Sequence, residues 1–237
     1  MKNFIKGIRL GVPIGLGYLS VSFTFGILAV SYGFKWWQAV VISMTTLTSA
    51  GQLAAIGVML TPGNYIEMLV SQLTINIRYS FMSVSLSQKT SAEFCGIKRW
   101  LLGFFMTDEI FAVASGKGDS VGLPYLLGLA LTPYLGWSTG TLIGALAGSA
   151  LPPLVTSALG VAIYGMFIAI VVPKAKESRP TALCVLFAIA LSCAFEYLPY
   201  LKEVSDGFVI IICAVLASAL FALLFPIKEE SEVAENE

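Results

Sequence analysis

The chain has 237 residues, 57% of them hydrophobic and only 12% charged, with no formal net charge and a mean hydropathy of +0.85. A soluble domain usually carries about twice that charged fraction, and a neutral chain offers no footing for nucleic acid. These figures predict an all-α, polytopic helical bundle in a lipid bilayer, one transmembrane domain over residues 1–227, and leave no stretch for a separate soluble domain.

Crossing a hydrocarbon core takes about 20 mostly apolar residues, and eight apolar segments follow one another along the chain. The first, Gly11–Gly33, is preceded by Lys2, Lys6 and Arg9; no small-residue cleavage site follows, so it reads as a retained helix rather than a signal peptide. The second, Trp36–Leu60, ends at the turn signal Thr61-Pro62-Gly63-Asn64. The third is Tyr65–Ser87. A basic pair, Lys98 and Arg99, precedes the fourth, Trp100–Ser115, which leads into the polar loop Gly116–Ser120. The fifth, Leu123–Ala150, closes at Pro152-Pro153, and the sixth is Leu154–Val172. After Lys174, Lys176 and Arg179 come the seventh, Thr181–Tyr200, and the eighth, Gly207–Phe225. The acidic tail, 228–237, has no apolar face and is expected to be disordered.

Basic clusters mark the cytoplasmic side. Three segments lie between the first and second cluster, and three between the second and third, so one of each trio must turn back. In the second trio the fourth segment is the choice, because about 16 helical residues reach only about 24 Å across a core of about 30 Å. In the first trio it is the second segment, where Ser43 to Gln52 is polar. The expected topology is six full spans plus two broken or re-entrant segments, two and four, with both termini cytoplasmic. Irregular backbone at that depth survives only where it is buried in protein or lines a wet cavity.

Ionisable groups inside spans are the strongest functional signal. Arg78 lies within the third segment, and Asp108 and Glu109 at the centre of the fourth. Each costs roughly 2.5–3.5 kcal/mol at the centre of an isolated helix, and Arg78 cannot shed its proton. They either line a solute path, one acid pairing with Arg78 and the other exchanging a proton, or form an ion pair that holds two segments together. Ser49, Gly51 and Gln52, with Asn76, are candidate substrate contacts, since an interrupted helix exposes N–H groups to an anion; interhelical hydrogen bonding is the structural alternative. Tyr134 and Trp137, beside Pro133, are further lining candidates. Gly140, Gly144 and Gly148 form a close-packing face for a helix of this chain or of a partner subunit.

Enzyme motifs fail on inspection. Gly136-Trp137-Ser138-Thr139-Gly140 matches GxSxG, but the chain has no histidine to serve as base. Gly116-Lys117-Gly118-Asp119 resembles an intramembrane protease GxGD but lies in a polar loop. The cysteines, Cys95, Cys184, Cys193 and Cys213, lack CxxC spacing and read as inert thiols. No metal site, cofactor or ATP-binding motif is legible.

Four stretches together resemble the large subunit of bacterial AzlC-type (azaleucine-resistance) branched-chain amino acid exporters. They are Gly11-Val12-Pro13-Ile14-Gly15 with Phe25-Gly26-Ile27-Leu28-Ala29; Ser49-Ala50-Gly51-Gln52-Leu53-Ala54; Ile75-Asn76-Ile77-Arg78-Tyr79 with Ser85-Leu86; and Phe105-Met106-Thr107-Asp108-Glu109. Gly140–Gly148 is similar to the family's glycine-rich helix, and the likeness covers roughly residues 8 to 175. Tyr79 stands where that family often has histidine, and Gly51 where it often has serine. The resemblance implies a secondary exporter of leucine, isoleucine, valine and sometimes methionine in the inner membrane of a bacterium, with a small hydrophobic AzlD-type partner. Tyr79 joins the candidate substrate contacts on this ground. The alternatives are a structural or regulatory membrane subunit, a channel, or a transporter of another small amphipathic solute.

Overall fold

Glycine spacing sets the central packing. The computed structural model describes residues 2–60, 65–91, 94–118, 120–148 and 171–226, with Pro152, Leu154, Gly165 and Ile168. Its helices are α1 (Lys2–Ser31), α2 (Trp36–Thr46), α3 (Ser49–Met59), α4 (Tyr65–Ser87), α5 (Ile97–Phe104), α6 (Asp108–Ser115), α7 (Leu123–Gly148), α8 (Arg179–Tyr197) and α9 (Asp206–Leu224). No strand occurs among the described residues; one isolated bridge joins Thr90 to Val121. The Thr61–Asn64 turn, most of the sixth segment and the acidic tail lie outside them.

α1 and α7 lie against each other in parallel. Gly7 meets the backbone of Tyr125 and Gly128, Gly15 that of Thr132, and Gly144 that of Phe23, so the register advances in step along both helices. A Cβ on Gly15 would stand 2.7 Å from the Thr132 carbonyl oxygen, closer than any side chain allows. The glycine face of the fifth segment therefore finds its partner within the chain.

The two broken segments appear where the sequence places them, each as a pair of short helices. In the second segment, α2 stops at Leu47, a buried non-glycine residue in the left-handed region (φ 45°). That conformation is uncommon for a side chain of this size and marks a fixed kink. α3 then turns back. Ile56 near its end packs with Ala39 of α2, Ala29 at the end of α1 and Ala145 at the end of α7. In the fourth segment the break falls at Phe105–Thr107, between α5 and α6. Both ends of this pair also meet: Ser91 N–H donates to the Val121 carbonyl, Lys89 Nζ to that of Ser115, and Arg99 Nε to that of Phe94. The α2–α3 hairpin thus enters from the end where α1 finishes, and the α5–α6 hairpin from the end where α7 begins.

The chain divides into two compact units. The one just described holds Met1–Ile56 and Ile75–Met166; the other holds Gly57–Thr74 and Phe167–Glu237. In the second unit α8 starts at the Ser178 cap, which accepts from Thr181 N–H, and carries Pro180 in its first turn. α8 and α9 pack through Phe187 on Phe221 (6.0 Å between ring centroids) and through Cys184, whose thiol reaches the Ala217 carbonyl. Three helices, Lys2–Ser31, Arg179–Tyr197 and Gly207–Leu224, are long and apolar enough to cross a membrane. α4 and α7, of 23 and 26 residues, have the length but are less apolar.

Candidate functional site

Both helix breaks open onto the same polar cluster in the first unit. Each second half-helix begins at a threonine cap. The Thr107 hydroxyl accepts from Ile110 N–H (3.4 Å) and the Thr48 hydroxyl from Gly51 N–H (3.4 Å). Such a cap satisfies one of the orphan donors of a helix start and leaves others facing outward. Asp108 and Glu109 occupy the first turn of α6, where the helix dipole favours anions. The first turn of α3 carries no acid.

Around these tips the sequence-predicted ionisable residues come together. Arg78 Nη1 lies 2.8 Å from both carboxylate oxygens of Asp108, and Arg78 Nη2 donates to the Tyr79 hydroxyl at 3.1 Å. The guanidinium also stacks over the Tyr79 ring at 4.8 Å. This pair is not sealed away: 44% of the Arg78 side chain and 33% of the Asp108 side chain are exposed. Glu109 points elsewhere and accepts from the Tyr18 hydroxyl of α1. One guanidinium therefore faces two carboxylates that have separate partners. Asn76 Oδ1 accepts from the Thr48 hydroxyl at 2.8 Å, and Tyr79 also lies within reach of Thr48.

Gln52, Tyr134 and Trp137 form the scaffold behind this cluster. Gln52 is fully buried; its Oε1 accepts from Trp137 Nε1 (2.9 Å) and its Nε2 donates to Ser43 (2.8 Å), which is joined to Thr141 (2.7 Å). Trp137 packs edge-on against Tyr18 at 5.3 Å. Tyr134 touches both hairpins: its hydroxyl donates to the Met44 carbonyl, and its ring meets Phe105 at 5.4 Å and Phe104 at 6.3 Å. Ser49 is half-buried at the start of α3, and Gly51 is buried one turn in.

Sequence reasoning missed Tyr18, Thr48 and Thr107, which hold the tips, and Ser43 and Thr141 behind them. It also missed Glu67 in the second unit. Glu67 is 2% exposed and accepts from Ser205 Oγ (2.6 Å) and Gly207 N–H (2.9 Å), so it caps α9 from the first turn of α4. An acid two residues into a span was the available signal. Among the described residues no cluster of histidine, cysteine and acids could hold a metal ion.

Comparison with known proteins accords with this architecture. The family model described as AzlC protein matches residues 13–151. An uncharacterized membrane protein of Archaeoglobus fulgidus is 34% identical over 195 residues, 80% of this chain and 84% of that protein. The inner membrane protein YgaZ of Escherichia coli is 30% identical over 197 residues, 79% and 78% of the two chains. The branched-chain amino acid transport protein AzlC of Bacillus subtilis is 26% identical over 141 residues, 58% and 55% respectively. No solved structure matches. With a family model that covers more than half of its length, and relatives that are membrane proteins along most of theirs, this chain belongs to the AzlC family and is an integral membrane protein.

Proposed function

We propose that the chain is a secondary active exporter of branched-chain amino acids, coupled to protons and acting with a small AzlD-type membrane subunit in a bacterial inner membrane. The observation that carries this reading is the contrast between the two half-helix starts beside Arg78. α3 begins with free donors and no acid, whereas α6 begins with Asp108 and Glu109. A zwitterion needs that contrast. Its carboxylate would lie at the α3 start and Arg78, with Ser49, Gly51 and Asn76 as neighbours, and its ammonium at the acids. The rings of Phe104, Phe105 and Tyr134 offer an apolar wall for a branched side chain.

Proton coupling rests on the excess of acid over base. With Asp108 held by Arg78, Glu109 is the group free to change charge as substrate leaves, and Tyr18 is its partner. Gln52 and Trp137 serve by holding the α2–α3 hairpin, since each satisfies the other. Lys89, Arg99 and Lys117 share one end of the first unit with the basic start of α1, which favours that end as cytoplasmic. The mechanism is transport without covalent chemistry.

Efflux of labelled leucine from proteoliposomes, with and without the small partner, tests the reading. Saturable efflux that responds to a pH gradient and shows counterflow supports an exporter. Leucine-independent leak, or no efflux in either preparation, rejects it.

A further inference from the structure

The two broken hairpins are related to each other in a way the amino-acid sequence conceals. α1 runs to one end of the first unit, and the α2–α3 hairpin dips back from that end. α4, from Ile75 onward, runs to the opposite end, where Lys89 and Ser91 meet the start of α7, and the α5–α6 hairpin dips back from there. Long helix plus re-entrant hairpin therefore occurs twice, in opposite senses. The details match too. Tyr18 stands 30 residues before the cap Thr48, and Tyr79 stands 28 residues before the cap Thr107. Each cap accepts from the N–H three residues on, at 3.4 Å in both cases. The tyrosines are exchanged between copies. Tyr18 of the first reaches Glu109 and Thr107 of the second hairpin, and Tyr79 of the second reaches Thr48 of the first, with Asn76 beside it.

We propose that Tyr18 and Tyr79 are paired positioning residues, each the latch that holds the other copy's hairpin shut, and that the two latches open alternately. This rests on the transport reading above and adds its gating residues. Release of Tyr18 frees the α5–α6 hairpin toward the end where α1 and α7 begin. Release of Tyr79 frees the α2–α3 hairpin toward the end where they finish. Two copies in opposite senses make these motions mirror one another, so that one path opens to each side. The latches are single side-chain hydrogen bonds, weak enough to be exchanged during a transport cycle. Tyr134 and Trp137 of α7 touch both hairpins or their latches and provide the fixed surface between them.

The test uses reporters at equivalent places. Ala54 and Val113 each lie six residues past their cap, and both are half-buried. In a full-length chain with its native cysteines replaced by serine, Ala54→Cys or Val113→Cys is labelled with a membrane-impermeant maleimide from each side. Tyr→Phe keeps the ring and removes only the hydroxyl. Tyr18→Phe should raise labelling of the Val113 reporter from the side of the N-terminus by about threefold to tenfold, as expected for one lost hydrogen bond, and leave the Ala54 reporter unchanged. Tyr79→Phe should raise the Ala54 reporter from the opposite side and leave Val113 unchanged. General loosening of the fold would raise both reporters together. That outcome, or no change in either, overturns the proposal. Should Tyr18→Phe fail to insert, Glu109→Ala removes the same contact from the other side. Labelling needs no substrate, so failed leucine efflux with opposite reporter responses would reject the substrate and keep the latches.

Discussion

Asp108 has three stabilising neighbours at once: the Arg78 guanidinium at 2.8 Å, the Thr107 cap and the open N–H groups of its own helix turn. Because both partners are partly exposed, the ion pair contributes only about 1 kcal/mol or less to stability. Asp108→Asn should therefore insert and melt close to the parent protein, while leucine efflux falls about tenfold or more, the effect of losing some 1.4 kcal/mol of interaction along the path. Equal losses in melting and efflux would reduce the pair to a structural tie. Gln52 is the opposite case. Gln52→Leu strands the Trp137 N–H and the Ser43 hydroxyl in the interior, which costs about 1–3 kcal/mol; a lower midpoint of thermal unfolding in detergent checks this. Arg78, Asp108, Glu109 and Asn76 were legible because a polar group within an apolar run has few innocent explanations. Tyr18 was not, since an aromatic in such a run looks like packing and its partner lies 91 residues away.

At the scale of elements, the α1–α7 seam gives the sharpest contrast. Gly144 presses on the Phe23 backbone and Gly15 on that of Thr132, whereas a Cβ at Gly17 would meet nothing within 4 Å. Gly144→Ala and Gly15→Ala should each destabilise the protein by about 1–3 kcal/mol through overpacking. Gly17→Ala should be neutral, or stabilising by about 0.5–1 kcal/mol through helix propensity. Thermal unfolding of the three variants side by side decides it. The sequence revealed the glycine face but not what it meets, because spacing shows only that something comes close. Both broken segments were legible from polarity and length, although not which residue carries the kink: Leu47 adopts its left-handed backbone under tertiary packing that local preference opposes. The first helix begins nine residues earlier than its apolar run, at Lys2, since a basic flank costs a helix nothing outside the hydrocarbon core.

For the whole molecule, the arrangement of ends is the claim to test. The α4–α5 connection and the α6–α7 connection lie together, near residues 89–96 and 115–121. Cys95 is exposed in the first of them and serves as a native reporter. An impermeant thiol reagent should reach Cys95 from the same face as a cysteine placed at Gly118, and as one placed near Lys2. Labelling of Gly118→Cys from the opposite face would mean that the α5–α6 segment crosses the membrane after all.

The glycine seam between α1 and α7 also carries a cost in time. Its first strip is among the earliest parts of the chain to leave the ribosome, and its second is complete only at Gly148. At about 5–20 residues per second, α1 waits roughly 6–25 s in the bilayer with a bare glycine groove and no permanent mate. During that interval its hold on the membrane depends on its own flanking lysines and on α2, so chains cut short before Leu123 are natural prey for membrane quality control.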